Sequence, residues 1–433
     1  MHGIIGPQAK PLKGFTAWLD RHPGFLAIFG GIMAFGVYFS MYAFRKPFTA
    51  ASFDDVAGTG FGIDYKVALV VAQVIGYALS KFIGIKFVSE LPGRFRSVAL
   101  IALILIAEAA LCAFAVVPAP YNIALMFLNG LPLGMVWGLV FGFLEGRRTS
   151  EILGSILCAS FIVSTGVVQS VGRWLLLSHY VTEFTMPAVV GGIFLPLLLL
   201  CLWGLNQLPP PNAADVAARV ERGPMDGKAR RELFAHYAPG LIVLIAVYVA
   251  LTVMRDFRDN FATEIWQSVG LGGQADVYAL ADLPVGGVVL LAMAALALFQ
   301  KNRPALIANI ALIGFGLLVT AGISIAYGLH LVNALTWMIG LGAGLYLAYT
   351  PYNGLLFDRL VAATGKVGTA GFLIYIADSS GYTGSVVLLL LKNFTALSLP
   401  WVTFLMGASI LTGVGGLACL SFAGIYLWRK LQA

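Results

Sequence analysis

Apolar runs long enough to cross a bilayer recur twelve times along this chain of 433 residues, and no other feature limits its possible folds so sharply. A helix needs about 20 apolar residues to traverse a hydrocarbon core ~30 Å thick. Such windows fall at about 24–46, 66–88, 96–118, 121–144, 152–178, 185–206, 238–262, 277–299, 304–328, 330–352, 367–391 and 399–428. Only 11% of the residues are charged and 59% are hydrophobic, where soluble domains carry about 25% charge. So few charges cannot cover a water-facing surface. A secreted disulfide scaffold, a coiled coil, a disordered chain and a soluble enzyme therefore do not fit. The sequence predicts an all-α polytopic membrane protein without a catalytic centre.

One connection stands apart from the others. Residues 207–236 hold Pro209-Pro210-Pro211 and nine Asp, Glu, Lys and Arg residues, and they separate the sixth span from the seventh. The expected organisation is a tail (1–23), a six-helix bundle (24–206), a linker (207–236), a second six-helix bundle (237–428) and a short tail (429–433). The many glycines, 50 in all, suit close helix packing. The first 23 residues are polar and lack a cleavable apolar segment, so they read as a tail and not as a signal peptide.

The net charge of +7 is spread as single residues and pairs between apolar runs, which does not fit a nucleic-acid partner. Of the 27 lysines and arginines, 19 fall in the tails, the linker and the even-numbered loops. By the positive-inside rule both termini and the linker face the cytoplasm, which predicts a protein of the bacterial cytoplasmic membrane. Cys112, Cys158, Cys201 and Cys419 each lie in an apolar run, and no Cys or His spacing suits zinc. No Walker A loop is present, so neither a metal, a cofactor nor an ATP-driven pump is expected.

The halves resemble one another. Val37-Tyr38 precedes Arg45 by the interval that separates Val247-Tyr248 from Arg255, and Arg45-x-x-Phe48 also matches Arg258-x-x-Phe261. Parallel repeats of six helices are the organisation of major facilitator transporters. Ionisable groups inside a membrane are costly, and each is a functional candidate. Tyr38, Tyr42 and Arg45 share one helical face at i, i+4 and i+7, as do Tyr248, Thr252 and Arg255. Two arginines from equivalent helices would clamp an anion, since guanidinium donates bidentate hydrogen bonds and keeps its charge. Either Arg255 or Arg258 supplies the second, and Asp256 and Asp259 stand beside them. Lys81 lies too deep in the second span to reach either surface, so it calls for a carboxylate or an anionic ligand.

Tyr42-Ala43-Phe44-Arg45-Lys46 in the first span and Gly76-Tyr77 followed by Ser80-Lys81-Phe82 in the second resemble the organophosphate:phosphate antiporters of the major facilitator superfamily. The resemblance covers about forty residues. It implies a two-bundle transporter in which Arg45 and Arg255 grip phosphate and Lys81 assists. The loop Ser89-Glu90-Leu91-Pro92-Gly93-Arg94-Phe95-Arg96 keeps only part of the superfamily's motif, and the fifth span lacks the family's histidine.

Three carboxylates, Glu108, Asp282 and Asp378, fall within spans and are candidates for proton coupling, because burial makes a carboxyl retain its proton more readily. An ion pair of Asp378 with Lys81 is the competing structural reading. Glu145, Arg147 and Arg148 between the fourth and fifth spans, with Tyr349 and Tyr352 flanking Pro351 in the tenth, are candidates for a cytoplasmic gate. The expected function is secondary transport of a small phosphorylated or carboxylated anion by alternating access, through exchange with phosphate or coupling to protons. A proton-driven efflux carrier for amphipathic compounds, or a non-transporting receptor or lipid-handling protein, is the alternative. The expected partners are the anion, the coupling species and membrane lipid, with the protein acting as a monomer.

Overall fold

The computed structural model describes residues 14–56, 62–144, 147, 150–210, 227–299, 301–364, 371–394 and 399–432. The expected gate residues Glu145 and Arg148 lie outside them. Every regular element described is helical. The first half consists of α1 (Gly14–Arg21), α2 (Pro23–Met41), α3 (Tyr65–Glu90), α4 (Arg96–Val116), α5 (Ile123–Leu133), α6 (Val136–Leu144), α7 (Ser150–Leu177) and α8 (Met186–Leu205). The second consists of α9 (Gly227–Asn260), α10 (Ala262–Ser268), α11 (Val277–Ala297), α12 (Asn302–Gly328), α13 (Ala334–Gly354), α14 (Leu356–Ala363), α15 (Gly371–Phe394) and α16 (Trp401–Gln432).

Eleven of the described helical segments are long and apolar enough to cross a membrane, and the protein is an integral membrane protein. The tenth expected span corresponds to α13. At 21 residues it has the length, but its last turns hold Tyr346, Tyr349, Tyr352 and Asn353. Large apolar side chains point outward along these helices, among them Leu291 at 73% and Leu411 at 74% exposure. Lipid, not water, is the solvent that such a surface tolerates.

The pairing of helices repeats between the halves. In the first half α2 packs on α7 and α8, α3 on α5, and α4 on α5 and α8. In the second α9 packs on α15 and α16, α11 on α13, and α12 on α13 and α16. Each pairing recurs with six spans added, which is the signature of a parallel repeat. Both fourth spans are broken beside a proline: α5 stops just after Pro132 and α6 resumes at Val136, while α13 carries Pro351 and gives way to α14 after Gly354. Proline lacks the N–H that would continue the ladder. The halves meet along α7 with α11 and α3 with α15.

Close packing fixes the height of α3. A Cβ on Gly76 would fall 2.2 Å from the carbonyl oxygen of Phe127, and one on Gly130 the same distance from that of Gln73. The two glycines therefore let α3 and α5 touch backbone to backbone. Two boundaries differ from expectation. A short helix, α1, forms within the tail, where Trp18 packs on Phe25 and Phe15 on Phe29. The seventh span begins within the expected linker, at Gly227.

Candidate functional site

The first span does not stay α-helical as far as Arg45. After Met41 the backbone tightens into a 3-10 turn, Tyr42–Phe44, and a second one follows at Pro47–Ala50. Pro47 explains the break: it has no N–H to give the Ala43 carbonyl, so the α-helical ladder cannot run through it, although Lys46 before it keeps a helical backbone. The sequence argument that placed Arg45 on one continuous helical face is corrected accordingly. What positions Arg45 is instead a pair of amides from neighbouring helices. Gln73 on α3 donates to the Arg45 carbonyl at 2.9 Å, and Asn129 on α5 donates to the Phe44 carbonyl at 2.9 Å. Asn129 also accepts from Gln73 at 2.8 Å, which locks both amides. These bonds satisfy carbonyls that the interrupted helix leaves free.

Between the halves lies a cavity of about 610 Å³. Tyr38, Tyr42, Arg45, Tyr77 and Lys81 line it from the first half, and Arg255, Tyr349, Asn353, Asp378 and Tyr382 from the second. It extends past Gly138 and Gly142 to Arg96, toward the ends of α3, α4 and α6 that share a side with the linker. The opposite end is closed by polar contacts between the halves. Lys46 Nζ donates to Asn260 at 2.6 Å, Lys66 Nζ to Glu264 at 2.5 Å, and Gln169 Nε2 to the Asp259 carbonyl at 2.7 Å. Thr263 donates to the Thr49 carbonyl at 2.9 Å, and Arg173 to that of Gly272 at 2.7 Å. The cavity therefore faces the linker side.

Arg45 is 7% exposed, and its guanidinium lies 3.9 Å from the centre of the Tyr77 ring. Among the described residues it has no ion pair, and its Nε has no hydrogen-bond partner. Arg255 reaches the cavity from the second half with its guanidinium 4.2 Å from the Tyr349 ring centre, but its Nη2 is held by Asp256 at 2.7 Å. Asp256 in turn accepts from Ser385 at 2.9 Å. Arg258 does not reach the cavity. It pairs with Asp259 at 3.0 Å and with Asp282 at 2.8 Å, and Tyr346 donates to Asp259 at 2.6 Å. Of the two arginines that the sequence left open, the geometry brings Arg255 to face the space that Arg45 faces.

Lys81 and Asp378 form an ion pair across the cavity that joins α3 to α15. Tyr248 on α9 donates to the other Asp378 oxygen. Its hydroxyl lies 3.1 Å from both Tyr349 Oη and Asn353 Oδ1. Tyr248 thus contacts the carboxylate and does not line the cavity, unlike its counterpart Tyr38. The other two candidate carboxylates lie elsewhere. Asp282 is taken up by Arg258, and Glu108 projects from α4 toward Gly191 on α8, away from the cavity. Among the gate candidates, Arg147 donates to the Pro209 carbonyl at 2.5 Å, Tyr349 lines the cavity, and Tyr352 is buried against Tyr248 and Phe357.

Several lining residues were not singled out from the sequence. Tyr382 sits four residues after Asp378, as Tyr77 sits four before Lys81, so each tyrosine shares a helical face with its charge. The two rings meet edge-on at 5.5 Å beside the ion pair. That mirrored spacing was the available signal. Trp137, Cys158 and Phe161 carry none, because an apolar side chain in a span reads equally well as core or as lipid-facing, and Arg96 reads as one of the loop charges of the positive-inside pattern.

A family described as being of unknown function, DUF5690, matches residues 47–430. The chain belongs to that family. No curated protein matches the sequence. Solved structures share the fold. One is a POT family transporter in complex with 5-aminolevulinic acid, at 13% identity over 97% of this chain and 98% of the other, with a TM-score of 0.58. A POT family transporter in complex with a thioalcohol-conjugated peptide gives 13% identity over the same shares and a TM-score of 0.57. A bacterial homologue of the human drug peptide transporters PepT1 and PepT2 gives 13% over 94% and 99%, with a TM-score of 0.59. Such identity speaks to the fold alone. This member of the family has the all-α, two-bundle architecture of the major facilitator fold.

Proposed function

We propose that the protein is a secondary transporter that carries a small organic anion by alternating access. The observation that carries this reading is Arg45, a buried guanidinium in the cavity wall that makes no ion pair with a carboxylate among the described residues. A charge at membrane depth costs about 2.5–3.5 kcal/mol on insertion scales, so it calls for a partner. A bound anion is that partner. Arg45 and Arg255 face it from opposite bundles, so binding draws together the expected units 24–206 and 237–428, and by the charge pattern the connection between them lies on the cytoplasmic side. Lys81 and the tyrosines Tyr38 and Tyr42 complete the pocket.

Asp378 is the coupling group of this proposal. Protonation removes the charge that holds Lys81, and the latch between α3 and α15 opens. Asp282 is committed to Arg258 and Glu108 lies outside the cavity, which leaves Asp378 as the carboxylate in the transport path. The efflux reading for amphipathic compounds has less support where the compound is a cation, because the one carboxylate lining the cavity among the described residues is already paired.

The test is thermal-shift screening of the purified protein against phosphorylated and carboxylated metabolites, followed by counterflow in proteoliposomes. A ligand of the native state raises stability by about 2.7 kcal/mol at a hundredfold excess over Kd. Stabilisation by anions that is lost in Arg45→Lys supports the proposal. Stabilisation by neutral or cationic compounds only, unaltered by that substitution, would remove it.

A further inference from the structure

We infer that the headgroup taken by this cavity carries a single negative charge, a carboxylate, and that a doubly ionised phosphate is disfavoured. The inference rests on the anion-transport reading above and narrows it. Its basis is a count of buried charge. At the closed end of the cavity Arg45, Lys46, Arg255 and Arg258 are all at most 8% exposed, as are Asp256, Asp259 and Asp282. Three arginines, which keep their charge, and Lys46, whose ammonium burial and Arg45 make readier to lose its proton, thus face three carboxylates. The Lys81–Asp378 and Lys66–Glu264 pairs are each neutral and leave the count unchanged. The surplus at this closed end is at most one positive charge; Arg96 also lines the cavity, but at its half-exposed mouth, where water and salt screen it.

The pairing shows where that surplus sits. Asp256 holds Arg255, while Asp259 and Asp282 both hold Arg258. Lys46 donates a hydrogen bond to the Asn260 amide oxygen, with Asp259 and Asp256 near enough to act on it. Arg45 alone among these arginines has no carboxylate. Its face is covered by Tyr77, so the edge of the guanidinium is what remains for a ligand. One fork matches the two oxygens of one carboxylate. A second negative charge would find Arg255 already neutralised and would stay uncompensated in a space walled by tyrosines, where a buried unpaired charge is costly. The symmetric clamp for a dianion that the sequence pattern suggests is therefore asymmetric in the folded protein.

The probes are three compounds with one aromatic body to suit those walls: 1-naphthoate, 1-naphthyl phosphate and 1-naphthamide, titrated calorimetrically into the purified full-length protein. A phosphate monoester gains its second charge with a pKa of about 6. At pH 8 naphthoate is expected to bind at least about tenfold more tightly than the phosphate ester. At pH 5, where the ester is a monoanion, that gap should narrow to about threefold or less. Asp256→Asn frees the Arg255 fork and should improve the ester relative to the carboxylate by about tenfold at pH 8. An ester that equals or exceeds naphthoate at pH 8 in the wild-type protein overturns this inference while leaving the anion reading intact. So does an unchanged ratio in folded Asp256→Asn protein. Equal binding of all three compounds, the neutral amide included, overturns the anion reading itself. If Asp256→Asn does not fold, the wild-type pH series decides alone.

Discussion

Arg258 and Arg45 lie toward the same closed end of the molecule, on the first spans of the two halves, and both are buried, at 3% and 7% exposure. Their surroundings are opposite. Arg258 has two carboxylates and a main-chain carbonyl, that of Met338, within hydrogen-bond distance. Arg45 has an aromatic face and open space. Burial of a charge costs the same kind of desolvation in both places. In one the protein supplies permanent counter-charges, and in the other the edge of the guanidinium faces the cavity, where the proposed anion would bind. Depth alone does not distinguish the two arginines; their partners do.

The largest effect expected from that contrast is on stability. Removing one partner of a buried ion pair costs about 3–5 kcal/mol, because the other is left charged and alone. Arg258→Leu strands Asp282 and Asp259 together and should fall at the upper end of that range, read as the unfolding midpoint of detergent-solubilised, ligand-free protein. Arg45→Leu removes a charge without a partner and should leave the midpoint unchanged or raise it. Equal losses in the two variants would break the comparison.

A smaller effect should come from the latch. Asp378→Asn leaves Lys81 without a counter-charge and weakens the bond from Tyr248, and hydrogen bonds to charged groups are worth about 1.5–3 kcal/mol. Uphill transport in proteoliposomes should be abolished, while exchange at equal substrate concentrations persists. A variant that still accumulates substrate would exclude Asp378 from coupling. Smaller again is Arg45→Lys, which keeps the charge but loses the fork. Affinity for the stabilising anion should fall about tenfold or more, equivalent to about 1.4 kcal/mol per factor of ten. Arg258→Lys, away from the cavity, should retain affinity. Equal affinity losses in the two lysine variants would merge the roles that the geometry separates.

Much of this architecture was legible in the sequence because hydropathy and membrane thickness leave few alternatives. The eleven membrane-length helices and the repeat follow from apolar run lengths and the paired Val-Tyr segments, while the tenth expected run forms α13, which is long enough but not among those eleven. Arg45, Lys81 and Asp378 were legible for the same reason, since an ionisable group inside a span stands out against apolar neighbours. What the sequence could not resolve was which charges pair. Arg255 and Arg258 lie three residues apart with an acid after each, and only the packing of α11 brings Asp282 to Arg258. The aromatic lining was hidden differently: Tyr77 and Tyr382 belong to segments in which any large residue would read as core. The 3-10 turn at Tyr42–Phe44 is a local response to Pro47 that apolar periodicity does not report, yet Tyr38, Tyr42 and Arg45 still line the same cavity.

The smallest expected effect concerns the second ion pair between the halves, Lys66–Glu264, which differs from Lys81–Asp378 in sealing the closed end and not the cavity wall. Glu264 lies on α10, outside the spans, and burial holds its carboxyl above the ordinary value near 4.5, with Lys66 pulling the other way and Asp54 adding to the rise. When this end opens, water reaches Glu264 and its pKa returns toward the ordinary value. A carboxyl that holds its proton more firmly when buried favours the closed arrangement on acidification. The gain begins as the pH drops through the raised value and is complete below the ordinary one. The naive view of a salt bridge, broken by acid and so opened by it, gives the opposite sign. Ala262→Cys, buried beside the pair, should react with a membrane-impermeant maleimide a few-fold more slowly at pH 5 than at pH 8. The comparison is made against the same cysteine in a Glu264→Gln background, which removes the reagent's own pH dependence. Faster relative labelling in acid would mean that attraction to Lys66 outweighs desolvation at Glu264, and the two inter-bundle pairs would then respond to protons in the same direction.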